Sequence, residues 1–334
     1  MNHVVQILML ALPVLLFLAA LVYLDSFKLL ALRWVVLLVL LGACSAGAAF
    51  LANTHVSGRL EMEFTTFSRW VAPWIEETLK AFILLIPLRT RRLGLAVDGA
   101  IAGFAIGAGF ALAENAFYLL TREALPPAAV FMRGFSTAVM HGGATAVFSM
   151  VAVTLADRAR HGAWWPLVPA LLAAVALHAA YNSLLAWPLA ALALIIGALP
   201  LVFHWVFAAS EQELRHWLES GLDANMELLT MINRGEVLSS PIGRHFERLR
   251  ASFHDEALVD MLCLLRVHAE LAIRAKGLLV MKELGVEPEL DADFRERLQE
   301  MQALEHSLGR AGLMAIRPLL AATGKDLWQL RLLA

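Results

Sequence analysis

The chain has 334 residues, 60% hydrophobic and 17% charged, with a formal net charge of −2 and a mean hydropathy of +0.67. Soluble domains carry about 25% charged residues, so this composition excludes an ordinary soluble globule, and a pI near 6.6 argues against nucleic acid as the main partner. Its two cysteines, Cys44 and Cys263, cannot form a disulfide framework or a CxxC metal site.

The charges fall unevenly. Residues 1–208 hold 12 Lys and Arg and 9 Asp and Glu, whereas 209–334 hold 15 and 20. The expected fold is all-α, with a polytopic membrane helix bundle over 1–208 and a soluble helical domain over 209–334. In chain order, apolar stretches of spanning length are expected near 5–24, 29–52, 70–88, 95–120, 134–156, 164–186 and 189–208, seven transmembrane helices. The first lacks a basic leader and a clear cleavage site and reads as an uncleaved span. Lys28, Arg33, Arg89, Arg91, Arg92, Arg158 and Arg160 fall in one alternating set of loops, against Arg59, Arg69, Arg122 and Arg133 in the other. The positive-inside rule then puts the N-terminus outside and the C-terminal domain in the cytoplasm. Trp70, Trp164, Trp165 and Trp187 fall at span ends, where indole rings favour the headgroup region.

The third span contains Trp74-Ile75-Glu76-Glu77-Thr78-Leu79-Lys80. Charges inside a membrane helix cost a few kcal/mol each and mark functional sites. Glu76 and Lys80 are placed to pair at i,i+4, which leaves Glu77 about 100° away in need of another partner. In the fourth span Gly99, Gly103, Gly107 and Gly109 predict close helix packing, and the span ends in Glu114-Asn115. The fifth carries His141; the sixth carries His178 and Asn182 on one face. At 1.5 Å per residue these groups lie roughly 8–14 Å from the same end of their helices, in one layer. Scattered structural hydrogen bonds have no reason to share a depth.

Such a layer suits water activation, with a carboxylate as general base and histidine or the Asn182 amide meeting a developing oxyanion. No cofactor is predicted. The alternative is zinc, held by Glu77, Glu114, His141 and His178 with a position open for water, although no HExxH helix is present.

The run Glu76-Glu77-x-x-Lys80, the Gly-rich helix entering Phe110-x-x-x-Glu114-Asn115, His141, and His178-x-x-x-Asn182 resemble the four motifs of PrsW-type intramembrane proteases. The resemblance covers about 70–206. It implies kinship with the CAAX prenyl endopeptidases of type II and a place in the bacterial cytoplasmic membrane. It also implies cleavage of membrane-associated proteins, for instance in regulated intramembrane proteolysis. By the same likeness Glu76 or Glu77 activates water and His178 with Asn182 stabilises the oxyanion, with Lys80 and Asn115 in support. Glu114 stands where the CAAX-type enzymes carry histidine, and Lys80 follows the glutamates at a shorter spacing than their basic residue. A glutamic mechanism is expected, since no soft or tightly spaced ligand set exists. A proton-coupled transporter or a non-catalytic membrane scaffold using the same polar cavity are the competing readings.

Beyond Ser210 amphipathic helices are expected at 211–219, 223–233, 242–284, 288–309 and 312–332, punctuated by Gly221, Gly235, Pro241, Gly285, Pro288, Gly309 and Gly312. His216, His245, His254, His268 and His306 are expected to be solvated. This part reads as an interaction or regulatory module for a cytoplasmic protein.

Overall fold

The structure, a computed structural model, describes residues 3–25, 30–90, 92–121, 126–159, 163–184, 187–283, 286 and 292–320. Lys28, Arg91, Arg122, Arg160, Gly285, Pro288 and the end of the expected 312–332 helix lie outside these residues. The chain divides into two compact units, Met1–Ser210 and Glu211–Ala334.

Among the described residues all regular structure is helical. The first unit holds α1 (His3–Leu24), α2 (Leu32–Leu60), the short α3 (Phe64–Trp70), α4 (Ala72–Arg89), α5 (Ala96–Thr121), the short α6 (Pro127–Met132), α7 (Ala138–Arg158), α8 (Leu167–Leu184) and the start of α9 (Pro188–Asn233). Among the described residues six helical stretches are long and apolar enough to cross a membrane: His3–Leu24, Leu32–Leu60, Ala96–Thr121, Pro127–Ala156, Leu167–Leu184 and Pro188–His216. The seventh expected span, 70–88, is helical as α4, but Glu76, Glu77 and Lys80 make it too polar to qualify on composition. Nor does it begin at Trp70. That residue closes α3, and α4 restarts after Val71 with Pro73 in its first turn, where a missing N–H breaks no helical bond.

The core of this unit is α5, buried without interruption from Val97 to Ala111. Its glycines explain how two helices reach it. A Cβ on Gly103 or Gly107 would meet the backbone of Thr145 or His141 on α7, and one on Gly42 or Gly109 would meet the carbonyl of Ile106 or Val39 across the α2–α5 contact. Small residues thus let backbones touch backbones, and these contacts set the height of His141. A π turn at Arg133–Thr137 leads into α7, a form common at functional sites. The buried Tyr181 of α8 donates to Ser136 Oγ at 2.8 Å and bonds Thr137 Oγ1 at 2.9 Å, which fixes α8 to that turn.

The second unit is built on α10 (Pro241–Leu249), α11 (Asp255–Glu283) and α12 (Ala292–Ile316). Met261, Leu264, Val267 and Leu271 of α11 pack on Phe294, Leu298 and Met301 of α12. Several expected boundaries shift. Gly221 does not end a helix, because α9 runs through to Asn233; the stop comes at Gly235, whose φ of 71° suits glycine. The expected 242–284 helix is interrupted after Leu249 and resumes at Asp255, whereas the expected break at Gly309 is present, its φ of 60° and ψ of −172° interrupting the helical backbone within Ala292–Ile316. His268 is buried, contrary to expectation, because it shares the face of α11 that carries Leu264, Leu271 and Ala275. His245 is half-buried and donates from Nε2 to the Ala315 carbonyl at 2.8 Å.

Candidate active site

Four helices deliver the ionisable groups: α4 brings Glu76, Glu77 and Lys80, α5 brings Glu114, α7 brings His141 and α8 brings His178. The structure joins all six into one network. Its centre is Glu77, whose side chain is 1% exposed beside a Lys80 that is 0% exposed. Glu77 Oε1 accepts from Lys80 Nζ at 2.7 Å and from His178 Nδ1 at 2.9 Å, while Oε2, at 3.2 Å, shares the single hydroxyl hydrogen of Thr145 with the His141 carbonyl at 3.1 Å. Both oxygens are therefore committed. The pair within α4 is Glu77 with Lys80 at i,i+3, not the expected Glu76 with Lys80, because α4 turns both side chains toward α7.

Lys80 also reaches His141 Nδ1 at 3.1 Å and lies 4.1 Å from the centroid of Phe110. An ammonium only donates, so His141 Nδ1 is the acceptor and Nε2 carries the hydrogen. That hydrogen goes to Glu114 Oε2 at 3.0 Å, and Glu114 Oε1 pairs with Arg133 at 3.2 Å. Glu114 is thus a partner of His141 and Arg133 and does not meet Lys80.

Glu76 is placed differently. Oε1 accepts from Asn53 Nδ2 at 3.1 Å, and Oε2 stands 3.9 Å from His178 Nε2. Its side chain is 14% exposed. His178 Nδ1–H is given to the Glu77 carboxylate, and in the neutral imidazole Nε2 carries a lone pair. The gap between Nε2 and Glu76 Oε2 is then a place for a proton or a cation.

The two asparagines depart from the network. Asn182 Nδ2 donates to the Ser68 carbonyl of α3 at 2.9 Å, so His178 and Asn182 share a face without bonding each other. Asn115 donates to the Leu10 carbonyl at 3.2 Å and accepts from Arg133 Nε at 3.0 Å, which ties α5 to α1 and to the π turn. Three participants were not singled out from sequence. Thr145 lies one turn beyond His141 on the same face, a spacing that could have found it. Arg133 reads as an ordinary loop residue, and Asn53 carries no signal in its neighbourhood.

Among the described residues, the donor atoms that come within 4.8 Å of one another belong to Glu76, His141 and His178. This differs from the expected zinc ligands Glu77, Glu114, His141 and His178: Glu77 is consumed by Lys80, His178 and Thr145, and Glu114 by His141 and Arg133. Two imidazoles and a carboxylate fit zinc with a fourth position open. Glu77 holding His178 Nδ1 is the outer-shell arrangement that orients a ligating histidine. His141 joins only by releasing Lys80 or Glu114.

A family model described as PrsW family intramembrane metalloprotease matches residues 31–209, more than half of the chain. No match is found among curated proteins or among solved structures.

Proposed function

The chain belongs to the PrsW family of intramembrane metalloproteases, a peptidase of multi-pass membrane type, and on that premise we propose that Glu76 is the base that activates water. The observation that carries this reading is the contrast between the two glutamates. Both Glu77 oxygens are engaged, whereas Glu76 Oε2 makes no hydrogen bond among the described residues and faces His178 Nε2 at 3.9 Å. Water loses a proton to Glu76 Oε2 as its oxygen bonds to the peptide carbonyl carbon. His178 Nε2 then accepts a hydrogen bond from that proton and holds it in place. Asn182 has a second amide hydrogen beyond the one given to Ser68, and it meets the oxyanion. The C–N bond breaks as Glu76 returns the proton to the amine nitrogen. Glu77 orients His178, with Lys80 balancing its charge; Glu114 orients His141. If zinc were held by Glu76, His141 and His178, Glu76 and His178 would serve as its ligands in place of the base and acceptor roles above, and the metal would supply polarisation of the carbonyl and acidification of the attacking water.

In this reading the substrates are membrane proteins cut in regulated proteolysis, and the mechanism is shared with the CAAX-type enzymes. α4 counts as a seventh span, the bilayer is the bacterial inner membrane, and residues 211–334 face the cytoplasm to meet a protein there. The test is a search of membrane proteomes for new protein termini, comparing cells that make the wild-type chain with cells that make Glu76→Gln at equal abundance. Termini confined to wild type support the reading and name the substrates. Identical proteomes overturn it in favour of transport or scaffolding.

A further inference from the structure

One neighbour of the site comes from a helix that carries none of the ionisable groups. Asn53 of α2 donates from Nδ2 to Glu76 Oε1 at 3.1 Å, and its Oδ1 is buried with no hydrogen-bond partner among the described residues. A carboxylate only accepts, so the amide must turn its NH2 to Glu76 and its carbonyl oxygen elsewhere. Burying an amide oxygen without a donor is costly, and an apolar side chain would fill the same space without that cost. The position is also firmly held. Gly42 of α2 lies against the Ile106 carbonyl and Gly109 of α5 against that of Val39, so α2 is locked to α5 about 16 Å before Asn53.

We propose that Asn53 is a positioning residue of the hydrolysis, an inference that rests on Glu76 as the base. Its Nδ2–H holds Glu76 Oε1 and so turns Oε2 to the water. Its Oδ1 accepts one hydrogen of that water. The other hydrogen then points at Glu76 Oε2, and a lone pair is left for the carbonyl carbon. No atom of Asn53 gains or loses a covalent bond.

The experiment uses the full chain in liposomes, with the shortest single-span protein whose new terminus depends on wild type as the substrate. Asn53→Ala and Asn53→Asp are compared with wild type and Glu76→Gln. Both Asn53 variants should accumulate normally, with kcat down on the order of 10- to 100-fold and KM within about twofold. Asn53→Asp should be no better than Asn53→Ala, since it sets carboxylate against carboxylate. A residue that merely fills space gives the opposite order, because aspartate is nearly the same shape. That order, or a wild-type kcat per folded molecule in both variants, overturns the inference alone. A wild-type chain that cleaves nothing overturns the protease reading and this inference with it.

Discussion

Replacing Lys80 with methionine tests the electrostatic centre of the network. The side chain is 0% exposed, and Nζ lies 2.7 Å from Glu77 Oε1 and 3.1 Å from His141 Nδ1. Methionine fills the same volume but leaves Glu77 charged and buried, supported only by His178 and Thr145. Removing one member of a buried pair costs about 3–5 kcal/mol. Against a total stability of about 5–15 kcal/mol, that shifts the folded-to-unfolded ratio by roughly 10²- to 10⁴-fold. Glu77→Gln should cost a similar amount, because it strands the ammonium instead. The double variant Lys80→Met, Glu77→Gln removes both charges and should recover most of the loss, while remaining poor in cleavage. Membrane abundance and the fraction staying monodisperse after heating in mild detergent give the readout. Singles as stable as wild type, or a double variant as unstable as the sum of the singles, would refute the pairing.

Gly107→Ala should drive its new methyl into the His141 backbone on α7, costing about 1–3 kcal/mol or more and abolishing cleavage through a displaced His141. Gly47, whose added Cβ meets nothing, is the control: Gly47→Ala should keep or raise the folded amount, as alanine favours helix by about 1 kcal/mol. Thermal stability and cleavage measured on both would expose an error if the two behaved alike. Arg133→Met frees Glu114 Oε1 and Asn115 Oδ1; cleavage should fall roughly 10-fold with abundance intact, and an unchanged rate would remove Arg133 from the support of His141.

The membrane helices were legible because hydropathy is a property of consecutive residues. The stretches over α1, α2, α5, α8 and the start of α9 follow from composition and length alone. The charges of α4 were legible for the converse reason: Glu76, Glu77 and Lys80 interrupt an apolar run where solvation is costly. The glycines of α5 announced close packing, and their contacts with α2 and α7 are of that kind. In the second unit, the break near Gly221 was misread because glycine permits a helix end without requiring one, whereas Gly309 does interrupt the helical backbone.

Partner choice within the site was not legible. An i,i+4 pair and an i,i+3 pair are both available to Lys80, and only the position of α7 selects Glu77. Asn53 and Arg133 look unexceptional in sequence, because what makes them part of the site is a neighbour far along the chain, Glu76 for Asn53 and Glu114 for Arg133. Sequence by itself determined that charged and polar side chains lie in apolar helices, because the cost of burying them is local and chemical. Tertiary structure alone decided which carboxylate is saturated and which oxygen is left facing His178, because hydrogen bonds are assigned by distances between helices that no spacing along one helix contains.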